Sequence, residues 1–229
     1  MFYYLYNLAE FCTINKFQKM SKATKKVSPY FVKPKITKQA ASPIKIQFDR
    51  DNPPENWSEL YNNIVTMRQD ASAPVDSMGC ERAHDMEAAP PVQRFQCLIS
   101  LMLSSQTKDE VNFAAMVRLR EHGLTVDNIL NTDQESLGKL IYPVGFWRNK
   151  AKYIKQVCQI LRDKYNDDIP DNVQDLCKLP GVGPKMAHLT MNNGWGRQSG
   201  IGVDVHVHRI VARLGWTDPD LCKTPEQTR

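Results

Sequence analysis

The run Leu179-Pro180-Gly181-Val182-Gly183-Pro184-Lys185 constrains the fold of this chain most, because it demands a tight turn followed at once by the start of a helix. Gly181 and Gly183 let the main chain turn sharply and come close to a ligand. Pro184 suits the first helical position, where a missing N–H has no intrahelical partner to lose. A helix is therefore predicted from Pro184. Its first N–H groups and the positive end of its dipole would face an anion, for which phosphate is the natural candidate, and Lys185 would stand beside it. Upstream, Asp171 reads as the N-cap of a short helix ending at Lys178, with Gln174 reaching back toward it. The whole is a helix-hairpin-helix unit, whose glycine amides can hold a DNA phosphate without reading sequence.

From Trp57 onward the apolar residues recur at helical spacing and no alternating strand pattern interrupts them. Trp57, Leu60, Tyr61 and Ile64 share one face, as do Phe95, Leu98, Ile99 and Met102, and later Ala151, Ile154, Cys158, Leu161 and Tyr165. Breaks fall at Ala71 to Pro91, Gly123 to Thr125, Tyr142 to Gly145 and Asp167 to Pro170. The fold class is all-α. Helices are predicted near 57–69, 92–104, 107–121, 126–131, 134–141, 147–165, 172–178, 184–193 and 204–214.

The net charge of +5 is unevenly spread. Residues 1 to 50 hold ten Lys and Arg against two acids, and residues 51 to 229 hold twenty against twenty-three. The first 55 residues read as a disordered basic arm with a targeting role, nuclear through Lys25 and Lys26 or mitochondrial, or as a plain solvated tail. The rest is not a basic coat for nucleic acid, so phosphate binding there must come from a local patch or from backbone donors. No apolar run approaches membrane-spanning length, which argues against a membrane partner. The six cysteines are widely spaced with no C-x-x-C pair, which favours small buried thiols over a zinc site or a disulfide framework.

Downstream of a glycine-rich loop, Asp204 stands where a helix carrying Val207, Ile210, Val211 and Leu214 should begin, so it reads as an N-cap. His206 and His208 form an H-x-H pattern with no partner cluster, which favours structural histidines over metal ligands.

Four strings resemble the endonuclease III family of bifunctional DNA glycosylases and AP lyases, in the family's order and over about residues 56–229. They are Leu103 to Asp109, Ile141 to Ala151, Leu179 to Leu189 and Val203 to Arg209. The resemblance implies a six-helix barrel domain over residues 86–203, with the hairpin unit at 172–193. It also implies a second helical domain contributed by residues 56–85 and 204–229. In the family the hairpin lysine attacks C1' of a damaged pyrimidine nucleoside, the base departs, and a Schiff base permits β-elimination. Lys185 matches that lysine and Asp204 the carboxylate that works with it. An amine attacks only when neutral, a state that desolvation and a helix N-terminus both favour.

The family also fills the gap left by a flipped-out base. Gln106 matches the residue that faces the orphaned base, and Phe146 the wedge beside it; without the resemblance Gln106 reads as a first-turn helix residue and Phe146 as core. Gly181, Val182, Gly183, Ser104 and His206 complete the implied DNA contacts. The implied partner is duplex DNA carrying an oxidised pyrimidine or an abasic site, bound by a monomer in the nucleus or mitochondrion, with the arm offered to other repair proteins. The family's four-iron cluster is held by four cysteines whose positions would lie beyond Arg229, so no cofactor is expected within this sequence. The second domain is then incomplete, and the helix after Asp204 is expected to expose its apolar face. Two rivals stand beside this reading. One is an adenine-removing relative, which Lys185 argues against because such relatives generally lack a lysine there. The other is a shortened product that binds DNA or a partner and catalyses nothing.

Overall fold

The computed structural model describes residue 54 and residues 56–229; the basic arm expected over 1–55, with its targeting and partner roles, therefore lies outside the described residues, Pro54 excepted. Among the described residues there is no strand. The helices are α1 (Trp57–Met67), α2 (Pro74–Met78), α3 (Pro90–Ser104), α4 (Asp109–His122), α5 (Val126–Asn131), α6 (Gln134–Ile141), α7 (Trp147–Tyr165), α8 (Val173–Leu176), α9 (Pro184–Trp195), α10 (Val205–Arg213) and α11 (Pro225–Thr228). The all-α class is thus as expected. Two short helices were not: α2, followed by a 3-10 turn at Cys80–Arg82, occupies the expected break at 71–91, and α11 follows the expected last helix. Too few apolar residues mark the first of these for a period to show; Val75, Cys80 and Ala83 anchor it in the interior.

The centre of the fold is α3. Phe95 to Leu103 are buried without a break, so α3 presents no solvent face over that stretch, where the spacing alone predicted one apolar stripe. It packs against α4, α7 and α9. The buried Gln96 side chain is partnered: it accepts from the Asp85 amide at 2.8 Å and donates to the Leu124 carbonyl at 3.3 Å. At its exposed end, Arg94 forks onto Asp168 at 3.0 and 2.5 Å and lies 4.1 Å over the Trp195 ring, tying α3 to α9.

Helix starts follow side-chain chemistry. Thr125, Asp133 and Asn172 each accept a hydrogen bond from an amide three residues on. The last corrects the expected cap: Asn172, not Asp171, opens α8, and Asp171 instead pairs with Arg197 at 3.2 Å. Asn bonds its own downstream amide as well as Asp does, so the one-residue ambiguity was intrinsic to an Asp-Asn pair. Helix ends are closed in two ways. Gly123 and Gly196 adopt left-handed φ of 96° and 63°. At the ends of α5 and α6, where glycine is lacking, a cation crosses from another helix. Lys155 donates to the carbonyls of Ile129, Leu130 and Thr132 at 2.9, 2.7 and 2.7 Å. Arg118 donates to those of Leu140 and Tyr142 at 2.7 and 2.6 Å.

Three further expectations are corrected. The face of α1 is narrower than predicted, with Ile64 buried and Trp57 36% exposed. The apolar face of α10 is covered: Val207, Ile210 and Val211 are buried, and Val207 and Val211 form an apolar cluster with Val203, against which Ile201 and Trp216 pack. Residues on both flanks of the helix supply the cover, which its own periodicity could not show. Phe146, whose residue type alone suggested core, is 62% exposed. These two phenylalanines therefore predict opposite results. Phe95→Ala should cost about 3–5 kcal/mol in a urea titration, while Phe146→Ala should stay within about 0.5 kcal/mol of the parent.

Candidate active site

Gly183 caps α9 and Pro184 occupies its first turn, so the first intrahelical bond is from the Ala187 amide to the Gly183 carbonyl at 2.9 Å. The amides of Lys185 and Met186 thus come before the point where intrahelical acceptors begin. The two glycines differ in why they are glycine. Gly181 has φ +80° and a Cβ there would sit 2.9 Å from the Tyr153 ring, so the fold itself demands it. Gly183 has an ordinary backbone, and a Cβ would meet nothing within 4 Å. Its missing side chain leaves open space at the head of α9. Val182, between them, turns its side chain into the core at 7% exposure, so any contact it makes outward is through its main chain.

Lys185 Nζ lies 2.9 Å from Asp204 Oδ2. The other oxygen of Asp204 accepts from the His206 and Val207 amides at 2.9 and 2.8 Å, so the N-cap reading is correct, and the same carboxylate faces the lysine. The N-terminal ends of α9 and α10 therefore converge on one ion pair. Burial pushes the Asp204 carboxyl up, but the Lys185 charge and the capping amides outweigh it, leaving Asp204 below the usual carboxylate value. His206 caps nothing itself; its Nδ1 lies 3.2 Å from Arg209 Nη2. His208 Nδ1 lies 2.6 Å from Thr228 Oγ1, as expected of a structural histidine.

A second group of expected residues forms at the end of α3 and the start of α7. Gln106 is exposed in the α3–α4 loop with φ 51°, not in the first turn of α4 as its residue context alone implied. Phe146 is the residue before α7, with φ 56°. Gly145 joins the two turns: its amide donates to Thr107 Oγ1 at 3.2 Å, and a Cβ on it would lie 2.4 Å from the Gln106 carbonyl oxygen. Ser104 ends α3 and spends its hydroxyl on the Leu101 carbonyl at 2.8 Å. The structure thus brings together Lys185, Asp204 and His206 in one place and Gln106 and Phe146 in another. Helix α7 links them, since Tyr153, under Gly181, is seven residues or about 10 Å of helix from Phe146.

Lys150 and Tyr153 were missed. The signal for Lys150 was present: it sits in the buried stripe Lys150, Ile154, Val157, Cys158 and Leu161, where a charge calls for an explanation. Burial lowers its ammonium to about 8, so it is protonated at neutral pH.

Residues 99–229 match the HhH-GPD superfamily base excision DNA repair protein pattern. The chain belongs to that superfamily. Endonuclease III-like protein 1 of Gallus gallus is 58% identical over 176 residues, covering 77% of this chain and 62% of that protein. The chain therefore spans roughly three fifths of that relative's length. A non-covalent endonuclease III–DNA complex matches with a TM-score of 0.58 at 31% identity, over 71% of this chain and 69% of that one. A trapped endonuclease III–DNA covalent intermediate, an estranged-adenine complex, matches with a TM-score of 0.56 at 31% identity, over 71% and 70%.

Among the described residues the cysteines do not fit an iron–sulfur cluster, which needs thiolates converging on one point. Cys80, Cys97 and Cys158 are buried, and burial pushes their thiols up to about 11, about 12 and about 12. Cys222 points its thiol at the Gln227 carbonyl at 3.5 Å. Among the described residues no group of three or more His, Cys, Asp or Glu is placed to hold a metal ion, and no helix is long and apolar enough to cross a membrane.

The double duty of Asp204 can be separated. Asp204→Asn keeps a good capping side chain and loses the charge, whereas Asp204→Ala should cost about 0.5–2 kcal/mol more through the lost cap. Because the folded carboxyl is held below its unfolded value of about 3.9, its stabilising contribution is complete above that pH and is lost as pH falls through the folded value. Acid unfolding of Asp204→Asn, followed by circular dichroism, should therefore show a shallower loss of stability below about pH 4 than the parent shows.

Proposed function

We propose that this protein is a base excision DNA glycosylase and AP lyase for oxidised pyrimidines in duplex DNA, with Lys185 as nucleophile. The observation that carries this is the 2.9 Å Lys185–Asp204 pair held between the heads of two helices, beside the open space at Gly183. The relatives' printed descriptions, an endonuclease III-like protein and a trapped DNA–protein covalent intermediate, support it.

In this reading a backbone phosphate approaches Gly183 and the first amides of α9, which place the strand without reading its sequence. The lesion leaves the stack, Gln106 faces the orphaned base and Phe146 wedges the step. The Lys185 amine attacks C1' after losing a proton; the glycosidic bond breaks with its electron pair going to the departing base, and the C1'–O4' bond then opens, its electron pair leaving with O4', which takes up a proton, as C1'=N forms. Loss of a proton from C2' of the resulting Schiff base then expels the 3' phosphate, and water releases the lysine. Asp204, held ionised, is better suited to stabilise the cationic sugar and iminium than to store a proton for long. Val182 contributes through its main chain, and Ser104 and His206 complete the proposed DNA contacts. The acting unit is a monomer, working in the nucleus or mitochondrion, and its residues supply the proposed chemistry without a resident metal.

The apolar face of α10, expected to be exposed, is covered by Val203, Ile201 and Trp216. Lys185 and its carboxylate also set this site apart from that of an adenine-removing relative. Borohydride reduction on abasic-site duplex DNA should trap a covalent adduct with the parent and at least about a hundredfold less with Lys185→Gln, the scale on which loss of a covalent nucleophile acts. Equal trapping by the two would overturn the assignment.

A further inference from the structure

Lys150 is buried to 6% exposure, and its three contacts converge on the turn that carries Gln106. Its Nζ donates to the carbonyls of Leu103 and Ser105 at 2.7 and 2.6 Å and to Thr107 Oγ1 at 3.3 Å. Thr107 Oγ1 in turn donates to the Ser105 carbonyl at 3.1 Å and accepts from the Gly145 amide at 3.2 Å. The residues on both sides of Gln106 are therefore held by the ammonium, and one of them is bonded to the residue before Phe146. We propose that Lys150 is a positioning residue that clamps the Gln106 turn against the Phe146 turn, so that the two side chains enter the duplex as one rigid unit.

Two observations make the clamp necessary. Gln106 and Phe146 both hold left-handed φ, a conformation that side chains other than Gly and Asn adopt only where surrounding contacts over-determine it. Helix α3 ends at Ser104 with Ser105 extended, so no glycine closes it, and its buried Leu103 carbonyl takes its donor from Lys150. One ammonium does both tasks. Lys155 does only the second, at the end of α5, with its bonds going to neither turn, and so serves as an internal control.

The inference rests on the proposed roles of Gln106 and Phe146, and its test reads them separately from Lys185. The probe is a duplex with 2-aminopurine opposite a tetrahydrofuran abasic analogue, whose emission changes when the orphaned base is unstacked and contacted. The parent and Lys155→Met should give the full change. Lys150→Met should bind within about threefold of the parent yet give an emission change at least about threefold smaller, because displacement of a positioned group by about 1 Å costs geometry before affinity. Gly145→Ala, which pushes on the Gln106 carbonyl without touching Lys150, should act in the same direction. A parent-sized emission change from Lys150→Met, or an equal loss from Lys155→Met, overturns the inference. Trapping on an abasic duplex in parallel keeps the two readings apart: a parent that changes emission but traps nothing overturns Lys185 alone. A parent that changes no emission overturns Gln106 and the clamp together.

Discussion

A helix with no solvent face must find partners inside the protein for every carbonyl its last turn leaves unpaired, and that constraint organises this fold around α3. Helices that end at the surface can close on glycine or water. Helix α3 ends among other helices, so its Leu103 carbonyl and the Ser105 carbonyl just beyond draw a buried lysine out of α7. The energetics favour the arrangement despite the cost of desolvating an ammonium, because an unpaired buried carbonyl loses its full hydration while an ammonium with three oxygen partners recovers much of its own. Lys155 and Arg118 repeat the solution at the ends of α5 and α6. A bundle of short helices with few glycines thus holds together through cations that cross between neighbours as well as through its apolar core.

The same accounting at the opposite helix ends produces the Lys185–Asp204 pair. Helix N-termini need acceptors, and Asp204 supplies one to α10 through Oδ1. That use fixes the carboxylate rigidly and leaves Oδ2 to meet Lys185, which projects from the head of α9. Two positive helix ends beside one carboxylate keep it ionised, and a lysine at the same point completes a compact dipolar site. Capping and chemistry are one arrangement here, which is why a reading of Asp204 as a plain N-cap and a reading of it as Lys185's partner are both correct descriptions of its geometry.

Much of this was legible in the sequence because it was local. The hairpin, the α9 start at Pro184 and the spans of α5, α6 and α7 are written in residues adjacent along the chain. The pairing of Lys185 with Asp204 was reached through resemblance to a family; nineteen residues separate them and no periodicity connects them. What stayed hidden depends on distant cover. Three isolated anchors place α2 and its 3-10 turn, neighbours in space bury α10, and α3 loses its polar face to helices packed all round. Lys150 shows the intermediate case: its position in an apolar stripe marked it as unusual, but only the fold says that the carbonyls it satisfies belong to α3 and the Gln106 turn.

Where the backbone is strained sharpens the link between fold and site. Among the described residues five non-glycine residues hold positive φ, and two of them, Asn166 and Asp167, are types whose short polar side chains tolerate it; Asn166 also closes α7. Ala71, Gln106 and Phe146 are not, and two of these three stand next to each other across Gly145 with their side chains exposed. Folding alone gives no reason to hold a glutamine and a phenylalanine left-handed at the surface, since glycine or asparagine would occupy either turn at lower cost. Their persistence requires the rigid backing that Lys150, Thr107 and Gly145 provide. A long amide and an aromatic ring aimed outward from one stiffened edge, on the helix that also underlies Gly181, suit insertion into something that must be pried open.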